Sequence, residues 1–291
     1  TQHEVTLTRS YWLKTTEVTQ GEWSALMGNE PSDESPGCDS CPVENVSWWE
    51  ALAYCNALSI AEGLTPCYTL DNCWGSPGTG SYNCTDVEVD GSPYDCEGYR
   101  LPTEAEWEWA ARAGTTAATY GGDFTEEDCE GVPDVLEPIA WYRENSGDTT
   151  QPVAGKAPNP WGLYDMLGNV WEWTWDARGY FEDYAAGPAQ DPAGASGIFD
   201  SGLRVWRGCA YDKYAKRCRS ANRGEGLPND RASDVGFRIA RTVNWPGDFP
   251  DGDSVGVGDN CPFVANDDQT NEDGDDYGAA CDCDDADPLI H

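Results

Sequence analysis

The chain has 291 residues, enough for one large core and an appendage. Its 53 acidic residues against 17 basic give a formal charge of −36, which excludes partners that need a positive field, nucleic acid and anionic membrane surfaces among them. No apolar run is long enough to cross a bilayer, so direct membrane insertion is excluded as well.

In chain order, the first element is a short strand at Glu4–Leu7. Three helices then share one start signal. Thr19 with Glu22, Ser47 with Glu50 and Thr103 with Glu106 fit the capping box, in which hydroxyl and carboxylate satisfy each other's free backbone N–H groups. Gly28, Gly63 and Gly114 supply the stops. Ala51, Leu52, Cys55 and Leu58 form an apolar stripe on the second helix, and Trp107, Ala110 and Ala111 form one on the third. Between these helices, Leu64 to Gly98 has little periodicity and relies on its cysteines for a scaffold. The remainder is rich in Gly, Pro, Asp, Ser and Asn with short apolar segments such as Gly236–Ala240, which predicts short strands and long loops. Asn244–Pro250 reads as a linker. Residues 251–291 follow, with 13 acids and no Lys or Arg.

Thirteen cysteines indicate an oxidising compartment, and hence a secreted or surface protein. Four pairs stand at distances suited to cross-linking loops: Cys38 and Cys41, Cys73 and Cys84, Cys209 and Cys218, Cys261 and Cys281. The odd number leaves at least one thiol without a partner inside the chain. A zinc site is disfavoured, because the only histidines, His3 and His291, stand at opposite ends. The same fact excludes a Ser–His–Asp triad.

Three segments carry a resemblance that spans residues 3 to 242: YRLPTEAEWEWAARAG from Tyr99, NPWGLYDMLGNVWEWTWD from Asn159, and RVWRG from Arg204 answered by DVGFRIAR ending at Arg241. In order and spacing they resemble the formylglycine-generating enzymes, the sulfatase-modifying factors. The resemblance implies an irregular, loop-rich α+β fold of the C-type-lectin-like kind over residues 1–243. It also implies a structural calcium held by the carboxylates of Asp165 and Glu172 and the carbonyls of Gly168 and Val170. The alternative for Glu172 is a buried ion pair with Arg207, Arg223 or Arg238.

The family's enzymes oxidise a substrate cysteine with molecular oxygen and copper bound by two thiolates, soft ligands that suit the monovalent ion. Counting forward from Gly208, the first of these cysteines falls on Lys213. Counting back from Arg223, the second falls on Ala215. Ala210 stands where the enzymes carry a serine that handles substrate. Cys209 and Cys218 are nearby; they read as a structural disulfide, or alternatively as a displaced copper pair. A related branch that holds iron by histidines is excluded by the histidine count. The sequence therefore favours a non-catalytic calcium-binding module for a peptide or glycan, with Trp206, Tyr211 and Tyr214 lining a groove or filling the core. The alternative is a divergent copper-dependent oxidase using Cys209 and Cys218.

The acidic tail from Asp259 to Asp282 resembles a thrombospondin type-3 repeat. Asp268, Asn271, Asp273 and Asp275 place oxygen ligands at short intervals, as calcium requires. Cys261 and Cys281 stand where such repeats carry linking cysteines.

Overall fold

The structure is a computed structural model, and it describes residues 4–124, 133–178, 187–194 and 202–243. All of these but Val243 lie in a compact unit bounded by Thr1 and Thr242. All three capping boxes form. α1 (Gln20–Met27), α2 (Trp48–Ala61) and α3 (Glu104–Arg112) each begin with reciprocal bonds between the predicted hydroxyl and glutamate. Gly28 ends α1 in the left-handed conformation, which costs glycine no Cβ clash. α3 stops one residue earlier than the glycine signal implies, with Ala113 itself left-handed at φ 43°.

Eleven short strands are described, and the longest shape the site. β6 (Trp171–Arg178) pairs antiparallel with β8 (Leu203–Arg207), setting Glu172 opposite Arg207 and Trp173 opposite Trp206. β8 pairs in turn with β9 (Arg223–Gly226), and β10 (Val235–Gly236) runs parallel to β6 on its other side. A second sheet places β11 (Ala240–Thr242) between β2 (Tyr11–Leu13) and β5 (Tyr99–Arg100). Both ends of the domain therefore meet in one sheet. β1 (Val5–Thr6) falls within the segment predicted as a strand and pairs with β7 (Ala189–Gln190). The result is a mixed α/β fold with few helices and many loops.

The core is aromatic. Trp23, Trp48, Trp107 and Trp173 are fully buried. Trp23 stacks on Tyr54 with centroids 5.5 Å apart and meets Phe237 edge-on at 6.3 Å. Large rings bury much apolar area per residue, which suits a chain with so little regular structure.

The insertion between α2 and β5 holds the hairpin β3 (Thr69–Asp71) and β4 (Asp86–Glu88). Cys73–Cys84 cross-links it as predicted. Cys67–Cys96, which the sequence did not single out, closes its base. Cys38–Cys41 and Cys209–Cys218 are also bonded. Among the described residues Cys55 is the free thiol, fully buried on α2. Four disulfides fit an oxidising environment. No helix among the described residues is long and apolar enough to cross a membrane.

Candidate functional site

Two neighbouring structures converge beneath the segment that precedes β6. The first is a buried charge centre. Residues 165–170 turn sharply, with Asp165, Gly168 and Asn169 all at positive φ. Only glycine suits position 168, because a Cβ there would run into the backbone of Trp141. The turn carries Asp165 inward, where it is 1 % exposed. Its Oδ2 accepts from the Ala154 N–H at 2.7 Å, while the buried Oδ1 has no hydrogen-bond partner. Burial raises its pKa to about 6, against the opposing pull of the Ala154 N–H and of Arg238.

Glu172, at the start of β6, lies in the buried ion pair that the sequence left open as an alternative. Its Oε2 accepts from Arg238 Nε at 2.7 Å and from Trp107 Nε1 at 2.7 Å, and its Oε1 accepts from Arg238 Nη2 at 2.8 Å. The fork of the guanidinium engages both oxygens, so Glu172 makes a buried, two-pronged ion pair. Of the three arginines considered, Arg238 is the partner.

Glu17 completes the centre, and sequence reasoning missed it. It is fully buried, accepts from Val170 N–H at 3.3 Å and from Asn169 Nδ2 at 3.2 Å, and so grips the same turn. Burial, then the charges of Asp165 and Glu172, push its pKa well up, opposed by Arg238. The available signal was weak: one glutamate in an ordinary loop, some 150 residues from the turn it touches. Three buried carboxylates thus share one guanidinium. Asp165 keeps one oxygen unanswered in the interior, whereas both oxygens of Glu172 are answered by Arg238. Among the described residues no group of three or more His, Cys, Asp or Glu is disposed to hold a metal, so main-chain oxygens such as those of Gly168 and Val170 would have to supply the remainder.

The second structure is the loop leaving β8. Gly208 passes over the Trp107 indole, and Cys209 then adopts φ 82°. Cys209 and Cys218 are bonded to each other, with both residues fully buried and Cα atoms 4.9 Å apart. They pack with Leu136, Ile139, Ala140, Tyr142 and Leu167. At the positions reached by counting from Gly208 and Arg223, Lys213 lies between Asp212 and Asp234 with its Nζ 2.8 Å from each, and Ala215 is buried.

The three aromatics read as lining a groove or filling the core lie in separate surroundings. Trp206 meets Trp173 edge-on at 4.7 Å and lies over Gly224 and Gly226, where any side chain would collide with the indole. It is core packing. Tyr211 is 5 % exposed, its hydroxyl 3.2 Å from Ser233 Oγ. Tyr214 is exposed, with the Arg143 guanidinium 4.6 Å above its ring. A cleft of about 560 Å³ lies elsewhere, between β2, β11, α1 and α2, and includes none of the three. The tail residues Asp268, Asn271, Asp273 and Asp275, and the pair Cys261 and Cys281, lie outside the described residues.

Known proteins agree with the resemblance. Residues 1–243 match the model of the sulfatase-modifying factor enzyme 1-like domain. The chain is similar to chaperone protein LppX of Paenibacillus barcinonensis, 35% identical over 57% of this chain and 62% of that one. It is also similar to the formylglycine-generating enzyme of Streptomyces coelicolor, 37% identical over 50% of this chain and 48% of the enzyme. It thus spans about half to three fifths of these relatives. Among solved structures, Treponema denticola variable protein 1 superposes with a TM-score of 0.68 at 38% identity, covering 83% of this chain and 87% of that one. With the family model matched from residue 1 to residue 243, the chain belongs to the sulfatase-modifying factor family.

Proposed function

We propose that this chain is a secreted or surface module that binds a peptide or glycan and performs no formylglycine chemistry. One observation carries the reading: the two cysteines nearest the aligned positions are closed into a buried disulfide, and the aligned positions hold Lys213 and Ala215. An ammonium and a methyl group cannot bind copper as thiolates do. The ligand face on this reading is the surface around Tyr214 and Arg143, beside the charged Lys213 and Asp212. The lectin-like assignment of the fold belongs to the same proposal.

Calcium is part of it in two places. Asp165 would be the inner carboxylate ligand, with the carbonyls of Gly168 and Val170 and with Glu17 in place of Glu172. The ion would supply the positive charge that one guanidinium cannot. In the tail, Asp268, Asn271, Asp273 and Asp275 would bind a second, exposed ion.

The test of activity is direct. Copper-loaded protein, reduced and unreduced, is incubated with a peptide carrying the sulfatase C-x-P-x-R motif, and the peptide mass is followed. No conversion is expected. Conversion in proportion to protein would establish the copper-oxidase alternative, which the likeness to the Streptomyces enzyme favours. Substituting Cys209 and Cys218 together by serine is expected to cost about 2–4 kcal/mol of stability, measured by urea denaturation.

A further inference from the structure

We propose that Cys38 and Cys41 form a thiol–disulfide exchange site, independent of the ligand reading above. The pair is a C-x-x-C unit, separated by three positions, whereas the other described bridges span 9, 11 and 29. The chain-entropy contribution of a disulfide grows with the logarithm of the loop it closes, so this bridge does least for the fold. Its two ends differ in access. Cys41 is 2 % exposed, while Cys38 is half-buried, in an exposed turn with its Sγ 3.8 Å from Ser40 Oγ. An attacking thiol therefore reaches Cys38, and Cys41 is the protected leaving and resolving sulfur.

The loop does not depend on the bridge for its shape. Its carbonyls accept the first N–H groups of α1: Gln20 N–H bonds Cys41 O at 2.9 Å and Gly21 N–H bonds Asp39 O at 3.0 Å. The Cys38 N–H donates to Ser35 O at 3.1 Å and to Gln20 Oε1 at 3.1 Å, the Cys41 N–H to Cys38 O at 2.9 Å, and the Val153 N–H to Ser40 O at 2.9 Å. Packing is close enough that a Cβ at Gly21 would sit 2.9 Å from Asp39 O. Two thiols released here stay adjacent, so the bridge opens and recloses without unfolding. By contrast Cys209–Cys218 is fully buried and opens only with its cluster.

The step balances with an external thiol alone. A thiolate attacks Cys38 Sγ; the new S–S bond forms as the bond to Cys41 breaks, and the electron pair leaves on Cys41 Sγ, which takes a proton from water. A second external thiolate attacks the first, releasing an external disulfide and the Cys38 thiolate. Two external thiols are oxidised and one protein disulfide is reduced; the reverse returns the oxidised protein. Asp39 lies between the two cysteines in a chain of net charge −36, so the site favours cationic or neutral thiols over anionic ones.

The experiment equilibrates the full chain in graded mixtures of cystamine and cysteamine. It traps free thiols by alkylation and reads each cysteine by peptide mass spectrometry. Cys38 and Cys41 should become labelled at a thiol concentration at least tenfold below that which labels Cys209 and Cys218. Cysteamine should react several-fold faster than the anionic 3-mercaptopropionate, with the gap narrowing in high salt. Cys41→Ser should trap a cysteamine adduct on Cys38, and Cys38→Ser should leave Cys41 unmodified. Joint reduction of both bridges only at unfolding would overturn the proposal, as would preferential adduct formation on Cys41. The wild-type labelling decides the matter should either variant misfold.

Discussion

Among the described residues, two buried guanidinium–carboxylate centres differ in their charge balance: the one at Arg100 is balanced and the one at Arg238 is not. Arg100 and Glu106 are both fully buried and face each other in a fork, with Nη1 and Nη2 each 2.7 Å from a carboxylate oxygen. The second Glu106 oxygen also accepts from Thr103 N–H, and Arg100 gives its remaining donors to Thr242 Oγ1 and Leu101 O. One charge answers one charge, and the pair fastens α3 to the sheet of β5 and β11. At Arg238 the pairing with Glu172 is equally close, but Glu17 and Asp165 are buried alongside it, and an oxygen of Asp165 has no partner. A closed pair offsets its own desolvation, while a surplus of buried carboxylate calls for protons or a cation.

The largest effect that tests this contrast is removal of each arginine. Breaking a buried pair costs about 3–5 kcal/mol, and Arg100→Met should lose that much in urea denaturation at neutral pH. Arg238→Met should lose more, because three carboxylates are left without a cation, and it should regain part of the loss at pH 5 as they protonate. Equal losses with no acid rescue would mean that the surplus is not felt.

Next come the neutral isosteres. Glu106→Gln should destabilise at every pH at which wild type folds. Asp165→Asn should stabilise the chelator-treated protein at pH 7.5, by roughly 2 kcal/mol for a raised carboxylate of this kind. It should also abolish any gain in melting temperature on adding calcium. A calcium response that survives in Asp165→Asn removes that residue from the inner site.

The pH dependence has a definite sign. Burial raises Asp165 to about 6 and, with Glu104 beside it, Asp176 to about 8; burial likewise raises Glu44 to about 8. Each group holds a proton more tightly folded than unfolded. Its contribution is therefore greatest in acid and declines as pH rises from about 4 to its folded value. Metal-free protein should lose stability between pH 6 and 8, and Asp176→Asn should flatten that limb. The smallest effect is at the surface: Arg9 and Asp95 are about half exposed at 3.0 Å, and Arg9→Ala should change stability by less than about 0.5 kcal/mol.

The same division governs what was legible. The capping boxes were readable because both partners lie three residues apart, inside the helix they start. Cys209–Cys218 and Cys73–Cys84 were readable because short separations leave few competing partners. Cys67–Cys96 was not, since 29 residues of aperiodic chain admit many pairings. In the site, Asp165 and Glu172 were found through the motif that holds them, but Glu172's partner was one of three candidate arginines. Glu17 was invisible, because a carboxylate meeting a turn about 150 positions away leaves no local pattern.

By itself the sequence determined the family, the three helix starts and the short cross-links. These rest on neighbours along the chain, whose spacing fixes their geometry. The tertiary structure alone decided that Glu172 belongs to Arg238, that Trp206 packs the sheet, and that Glu17 joins Asp165 in a centre with more negative charge than one arginine balances. Those outcomes depend on which distant segments share a low-dielectric interior, and burial, not identity, sets what a carboxylate there must do.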